Sequence, residues 1–163
     1  MVLIRPASLG FALALAMAQT TAADTESEAA VQVSPADDGT PAASVWDGVY
    51  TDAQALRGKE NYAGPCGKCH GYKLDGAPDD PDMFSTPPIA GAKFLRNWEG
   101  RTLAALLSYI KATMPENNPG YLSDRELVEL VAYSLQMSGV PAGSEELPED
   151  FGQLGAIVIL RGN

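Results

Sequence analysis

The chain has 163 residues, 45% of them hydrophobic, with 11 basic residues against 21 acidic ones, two cysteines and one histidine. That length suits one domain of ordinary size, and the apolar fraction excludes a multi-span membrane protein. A formal charge of −10 argues against a nucleic-acid partner, because phosphate contacts need clustered Lys and Arg. A single histidine excludes any metal site built from several imidazoles.

Residues 1–18 carry one base, Arg5, no acid, and an apolar stretch from Leu9 to Met17. Ala16-Met17-Ala18 places small residues where a signal peptidase reads them, so the segment predicts a secretory signal cut after Ala18, or after Ala23, and a periplasmic protein. The apolar run falls short of the roughly 20 residues that span a bilayer, so no stable membrane span is expected. Residues 19–45 hold Asp24, Glu26, Glu28, Asp37 and Asp38 with no base, and predict an acidic disordered linker that cannot bury a core. Residues 140–163 add Glu145, Glu146, Glu149 and Asp150 against Arg161 and are expected to be a C-terminal tail, with Ala156 to Leu160 as a candidate short strand. The expected globular body, 46–139, has 12 acids and 9 bases, a net of only −3.

Within that body, Thr51 is a helix N-cap candidate, and Asp52 to Ala63 is rich in helix formers up to Gly64-Pro65. Gly58 and Tyr62 stand at i and i+4, a bare patch and a ring on one face. A second helix is expected from about Thr102 to Thr113, with Leu103, Leu106, Leu107 and Ile110 as its apolar stripe, ended by Pro115. The third starts at a capping box, Ser123 with Glu126, buries Leu127, Leu130, Val131 and Leu135, and stops at Gly139 and Pro141. Residues 71–92 are too rich in Gly, Pro and Asp to form one regular element. Three modest helices around long loops make a thin core for so small a body, which points to a non-protein filler.

Cys66-Gly67-Lys68-Cys69-His70 suggests what that filler is. Residues at i, i+3 and i+4 of a helical turn project to one side, so two thiols and an imidazole can face one object. The pattern C-x-x-C-H is the haem-c attachment signature, and here it contains every cysteine and the only histidine. Two other uses compete. A thioredoxin-like dithiol shares C-x-x-C but lacks a βαβ pattern here, and a zinc site needs a fourth ligand such as an Asp. Thiols consumed as thioethers to a covalent haem also cannot oxidise to a disulfide in an exported protein.

The sixth iron ligand cannot be a second histidine. Met137 lies in the last turn of the third helix, where packing is its expected role. Met83 sits in the acidic, Pro-rich loop and stays open as a rival. Met114 directly follows the second helix and precedes Pro115, so its thioether is held on a short tether, and it is the favoured ligand.

In its order of motifs, the region 46–139 resembles a class I cytochrome c domain: Gly58 and Tyr62 on the first helix, Cys66 to His70, a Pro-Gly loop, Met114-Pro115, and Tyr133 on a last helix. The resemblance implies an all-α fold of three to five helices wrapped around one covalently bound haem c, with the terminal helices crossed. It implies His70 as the proximal and Met114 as the distal iron ligand, with Cys66 and Cys69 as thioether partners. A carbonyl of Pro87 or Pro88 would hold the His70 ring, with Pro88 carried as the site residue. Trp98 is a candidate hydrogen-bond donor to a haem propionate. Val45 to Thr51 and Met114 to Ser123 resemble more narrowly the cytochrome c domains that accompany periplasmic quinoprotein dehydrogenases. Ser134, which interrupts the apolar face of the last helix, and Met83 depart from the family pattern.

These readings predict a periplasmic electron carrier, not an enzyme, that moves one electron between a dehydrogenase donor and a terminal oxidase or other cytochrome acceptor. Two alternatives fit the same residues. One is a haem enzyme or gas sensor with an open or labile distal site. The other is a dedicated cytochrome subunit of a quinoprotein dehydrogenase, held by its tails.

Overall fold

The computed structural model describes residues 43–82 and 86–162. The expected signal segment with its cleavage positions, residues 19–42 of the expected linker, and Met83 lie outside the described residues. Six α-helices follow in chain order: α1 Asp52–Tyr62, α2 Gly67–His70, α3 Gly91–Trp98, α4 Leu103–Thr113, α5 Asp124–Met137 and α6 Phe151–Leu154. Two two-residue strands, β1 Ala43–Ser44 and β2 Ile157–Val158, pair in parallel.

The three expected helices form where their caps and stripes put them. Thr51, Thr102 and Ser123 each accept a backbone N–H in the first turn of their helix, and Ser123 closes a full capping box with Glu126. The helix α5 is buried continuously from Leu127 to Leu135, because α1 crosses it while α3 and α4 pack beside it. On α1 only Gln54, Ala55, Gly58 and Tyr62 are buried, a narrow stripe with helical spacing. Gly58 makes the crossing possible: a Cβ there would stand 1.9 Å from the carbonyl oxygen of Glu129. One helical turn on, Tyr62 and Tyr133 meet edge to face with centroids 5.7 Å apart.

The expected all-α fold is borne out, and two of the six helices, α2 and α6, are single turns of four residues. The helix α3 has no side-chain cap at Ala90, and α2 is a single turn within the Cys-His motif.

The body is also longer than 46–139. Val140, Leu147, Leu154, Ile157 and Ile159 are buried in the same core as α1, α4 and α5. The Gln54 amide binds both polar groups of Leu147, donating to its carbonyl at 3.0 Å and accepting from its N–H at 2.9 Å. The Tyr50 hydroxyl donates to the Val140 carbonyl, and burial raises its pKa to about 12, with Asp52 adding to the rise. Residues 140–159 are therefore part of the domain rather than a free tail. At the other end, Ala43 and Ser44 pair with the expected terminal strand, Val45 is fully buried, and Trp46 Nε1 donates to Leu160 O. The last residues assigned to the linker thus belong to the packed body, where an edge strand finds a partner for its backbone.

Candidate functional site

The chain leaves α1 at Tyr62, turns through Gly64-Pro65 and enters α2 at Cys66. The N–H groups of Cys69 and His70 both donate to the Cys66 carbonyl, so the motif is one closed helical turn. The Tyr62 hydroxyl donates to Gly71 O at 2.7 Å and fixes the far end of that turn. Burial raises the Tyr62 pKa well above its ordinary value. Gly67 has no room for a side chain without crowding, since a Cβ would lie 3.0 Å from the Tyr72 ring.

After the motif the chain loops back on itself. Gly71 and Gly76 take positive φ, 76° and 83°, a region open to glycine. Gly76 N donates to His70 O at 2.8 Å, and Ile89 N to Leu74 O at 3.0 Å, while Leu74 is fully buried beneath the loop. A Cβ on Gly76 would lie 2.4 Å from Thr86 O. This close approach carries the Pro87 carbonyl to His70 Nδ1, 2.8 Å away. A carbonyl can only accept, so Nδ1 donates to it, and in the neutral ring this leaves the lone pair on Nε2. The bonding carbonyl is thus that of Pro87 and not of Pro88, which lines the cavity instead.

A cavity of about 370 Å³ lies between this loop and α3, α4 and α5. Cys66, His70, Met114, Pro88 and Trp98 all line it, and its walls are built largely of apolar residues such as Ile89, Phe94, Leu106, Ile110, Leu130 and Val131. Met114 is the C-cap of α4, with its N–H donating to Ile110 O and its backbone extended. Cys69 lies instead on an adjoining open crevice that shares His70, Pro87, Met114 and Pro115 with the cavity. Met137 lines neither and is 44% exposed, so its expected packing role is not found.

Trp98 packs edge to face on Tyr109 at 5.5 Å, and the Arg101 guanidinium lies 5.2 Å over its ring. Sequence reasoning missed Arg101, Tyr109 and Asn97, all of which line the cavity. Tyr109 was visible in principle, three residues after Leu106 on the stripe of α4. Arg101 lies three residues after Trp98 across the α3–α4 turn, a juxtaposition no local pattern announces. Arg101 carries the only permanent charge among the lining residues, and no Asp or Glu lines the cavity.

The geometry separates the competing uses of the motif. Burial, followed by the neighbouring Cys69, pushes the Cys66 thiol up to about 11, whereas a redox-active dithiol needs a depressed thiol pKa. Among the described residues, no three His, Cys, Asp or Glu side chains cluster in a way that could hold a metal ion by themselves. An apolar chamber edged by one cation, with an imidazole whose Nε2 is available and a thioether on the same lining, fits a haem: apolar macrocycle, carboxylate edge and iron.

The helical fold and this chamber define a class I c-type cytochrome domain. Residues 53–133 match the family described as cytochrome c oxidase, cbb3-type, subunit III. The chain is also similar to a thiosulfate dehydrogenase of Psychrobacter arcticus (strain DSM 17307 / VKM B-2377 / 273-4), 38% identical over 78 residues. That alignment covers 47% of this chain and 24% of the relative, so the two share a domain and not a whole-length architecture. No solved structure gives a significant match. A cytochrome c domain is a haem- and iron-binding unit for electron transfer. Among the described residues, no helix is long and apolar enough to cross a membrane.

Proposed function

We propose that the protein is a periplasmic one-electron carrier with a single haem c attached through Cys66 and Cys69 and ligated by His70 and Met114. The observation that carries this reading is that one apolar cavity is lined by Cys66, His70 and Met114, residues drawn from two separate segments of the chain. When bound, the haem supplies a one-electron iron couple. His70 is oriented by its bond to Pro87 O, which also raises the basicity of its free nitrogen. Met114, tethered at the end of α4, would hold the iron together with His70 and leave no open site for substrate chemistry. The apolar walls exclude water, and Arg101, with Trp98 and Tyr109 beside it, suits the propionate edge. The open crevice by Cys69, Pro87 and Tyr121 is where redox partners would approach, a dehydrogenase as donor and a terminal oxidase or another cytochrome as acceptor. Transient encounters of this kind use small interfaces.

A second reading, a dedicated electron-transfer subunit or domain partner of a larger oxidoreductase, is favoured by the comparisons. The matched family is described as an oxidase subunit, and the curated relative is a dehydrogenase about four times longer than the shared region. Co-elution with a large partner in gel filtration at moderate salt supports the subunit, and elution alone supports the diffusing carrier.

The visible spectrum of the periplasmically expressed protein, oxidised and reduced, tests the main reading. Covalent haem c that survives acid-acetone extraction is expected, together with a sulfur-to-iron charge-transfer band in the oxidised form that Met114→Ala abolishes. Haem that extracts freely, or a band indifferent to Met114→Ala, overturns the attachment or the ligation.

A further inference from the structure

Ser134 stands on α5 in the wall of the cavity, among Leu130, Val131 and other apolar residues. It is 8% exposed. Its carbonyl is occupied, accepting from the Ser138 hydroxyl and N–H. Its own hydroxyl has no hydrogen-bond partner among the described residues, yet no buried side-chain oxygen or nitrogen is sealed off without one. Both observations hold together if the hydroxyl opens on the cavity. A helical serine can return its proton to the carbonyl four residues back, and no such bond to Leu130 is made here. A hydroxyl without a protein partner is unfavourable on an apolar wall, and every neighbour on the buried face of α5 from Leu127 to Val131 except Glu129 is apolar. An alanine or leucine would fill the position without that cost.

We propose that the Ser134 hydroxyl is a redox-tuning contact to the cofactor held in the cavity, which it keeps at a lower reduction potential than an apolar wall would give. The inference rests on the haem reading above. One-electron reduction takes ferric iron to ferrous with an electron from the donor protein, and the iron centre loses one positive charge without any proton being required. A hydroxyl free to rotate turns its oxygen toward the more positive, ferric state and stabilises it, whereas an apolar wall favours the less charged ferrous state. Ser134 is thus a positioning residue for charge, acting through the field at the cofactor and not as an iron ligand.

Equilibrium redox titration of the holoprotein and of Ser134→Ala, Ser134→Val and Ser134→Thr tests this. Thr and Val have nearly the same shape and differ in the hydroxyl. Ala and Val should shift the equilibrium toward the reduced form by about threefold or more, about 28 mV at 59 mV per tenfold change, while Thr stays near the wild type. Wild-type potentials in Ala and Val, or a fall, with haem-c spectra intact, overturn the proposal and leave the haem reading standing. Equal shifts in Thr and Val assign the effect to packing and also overturn it. A wild-type protein without a haem-c spectrum overturns the haem reading itself. If Val disturbs the fold, Ala, the smaller change, decides alone.

Discussion

The carbonyl oxygen of Glu129 lies so close to Gly58 that a Cβ on the glycine would be 1.9 Å from it. The crossing of α1 and α5 is therefore tightest with glycine at this point, and two parts of the site depend on it, the Cys-His turn and the α5 wall. Tyr62, one turn after Gly58, braces the Cys-His turn through Gly71, and α5 supplies Leu130, Val131 and Ser134 to the cavity wall.

Gly58→Ala is accordingly expected to destabilise the holoprotein by about 1–3 kcal/mol, the usual cost of overpacking, even though alanine is the better helix former. Thermal melts followed by far-ultraviolet circular dichroism measure it. An unchanged or raised melting temperature would show that the helices can separate freely.

The buried Glu129 carboxylate accepts from Arg57 Nε at 2.6 Å, from Arg125 Nε at 3.2 Å and from Asn61 Nδ2 at 3.1 Å. Arg57 also reaches Glu146, and these bonds raise the Arg57 pKa. Arg57→Met leaves Glu129 with weaker partners and should cost about 1.5–3 kcal/mol, the usual value for a hydrogen bond to a charged group. Glu129→Gln in the Arg57→Met background should recover part of the loss, since the charge needing a partner is gone. A double mutant no more stable than the single one would contradict this account.

Acid sensitivity follows from Glu126. The Ser123 side chain and backbone donate to its carboxylate and hold its pKa below 4.5. A depressed carboxylate stabilises the fold above its unfolded-state value, and the contribution is lost as pH falls through the folded-state value. Ser123→Ala should thus cost about 1 kcal/mol near neutrality and flatten the fall in stability below pH 4.5. Glu146, held low by Arg57, is largely exposed and adds little because solvent screens it. Denaturant midpoints taken from neutral to acid pH read the slope, and parallel curves for wild type and Ser123→Ala would exclude this role of the capping box.

Residues 140–163 should not be removable. Leu147, Leu154, Ile157 and Ile159 are 9% exposed or less, and burying each contributes about 1.5–3 kcal/mol, which together rivals the roughly 5–15 kcal/mol of a whole domain. Truncation after Gly139 is expected to give protein that is degraded or loses cooperative melting. A truncated chain that melts like the wild type would return the boundary to residue 139.

What was legible in the sequence was local. Thr51, Thr102 and Ser123 announce helices because capping is a matter of three or four adjacent residues, and Cys66 to His70 announce a cofactor because one turn suffices to gather them. What was not legible depends on distant partners. The C-terminal segment is acidic and looks solvated until Gln54 is seen to hold Leu147. The choice of Pro87 over Pro88 depends on the close approach of Gly76 to Thr86 O, and Arg101 gains its place only when α3 and α4 have packed.

On the proposed ligation, the distal position separates a carrier from an enzyme or gas sensor, and Met114 is the residue that would decide it. Its main chain is fixed at the end of α4 by the bond from its N–H to Ile110 O, so a thioether bound to iron from there would be held on a short tether and occupy the site that carbon monoxide needs. The reduced wild-type protein should therefore resist carbon monoxide, whereas reduced Met114→Ala should bind it within the mixing time of a stopped-flow experiment. The substitution leaves the residues of the His70–Pro87 contact unchanged, so the difference should read the distal side alone. Rapid binding by the wild type would mean a labile or open site and would favour the enzyme or sensor reading over electron transfer.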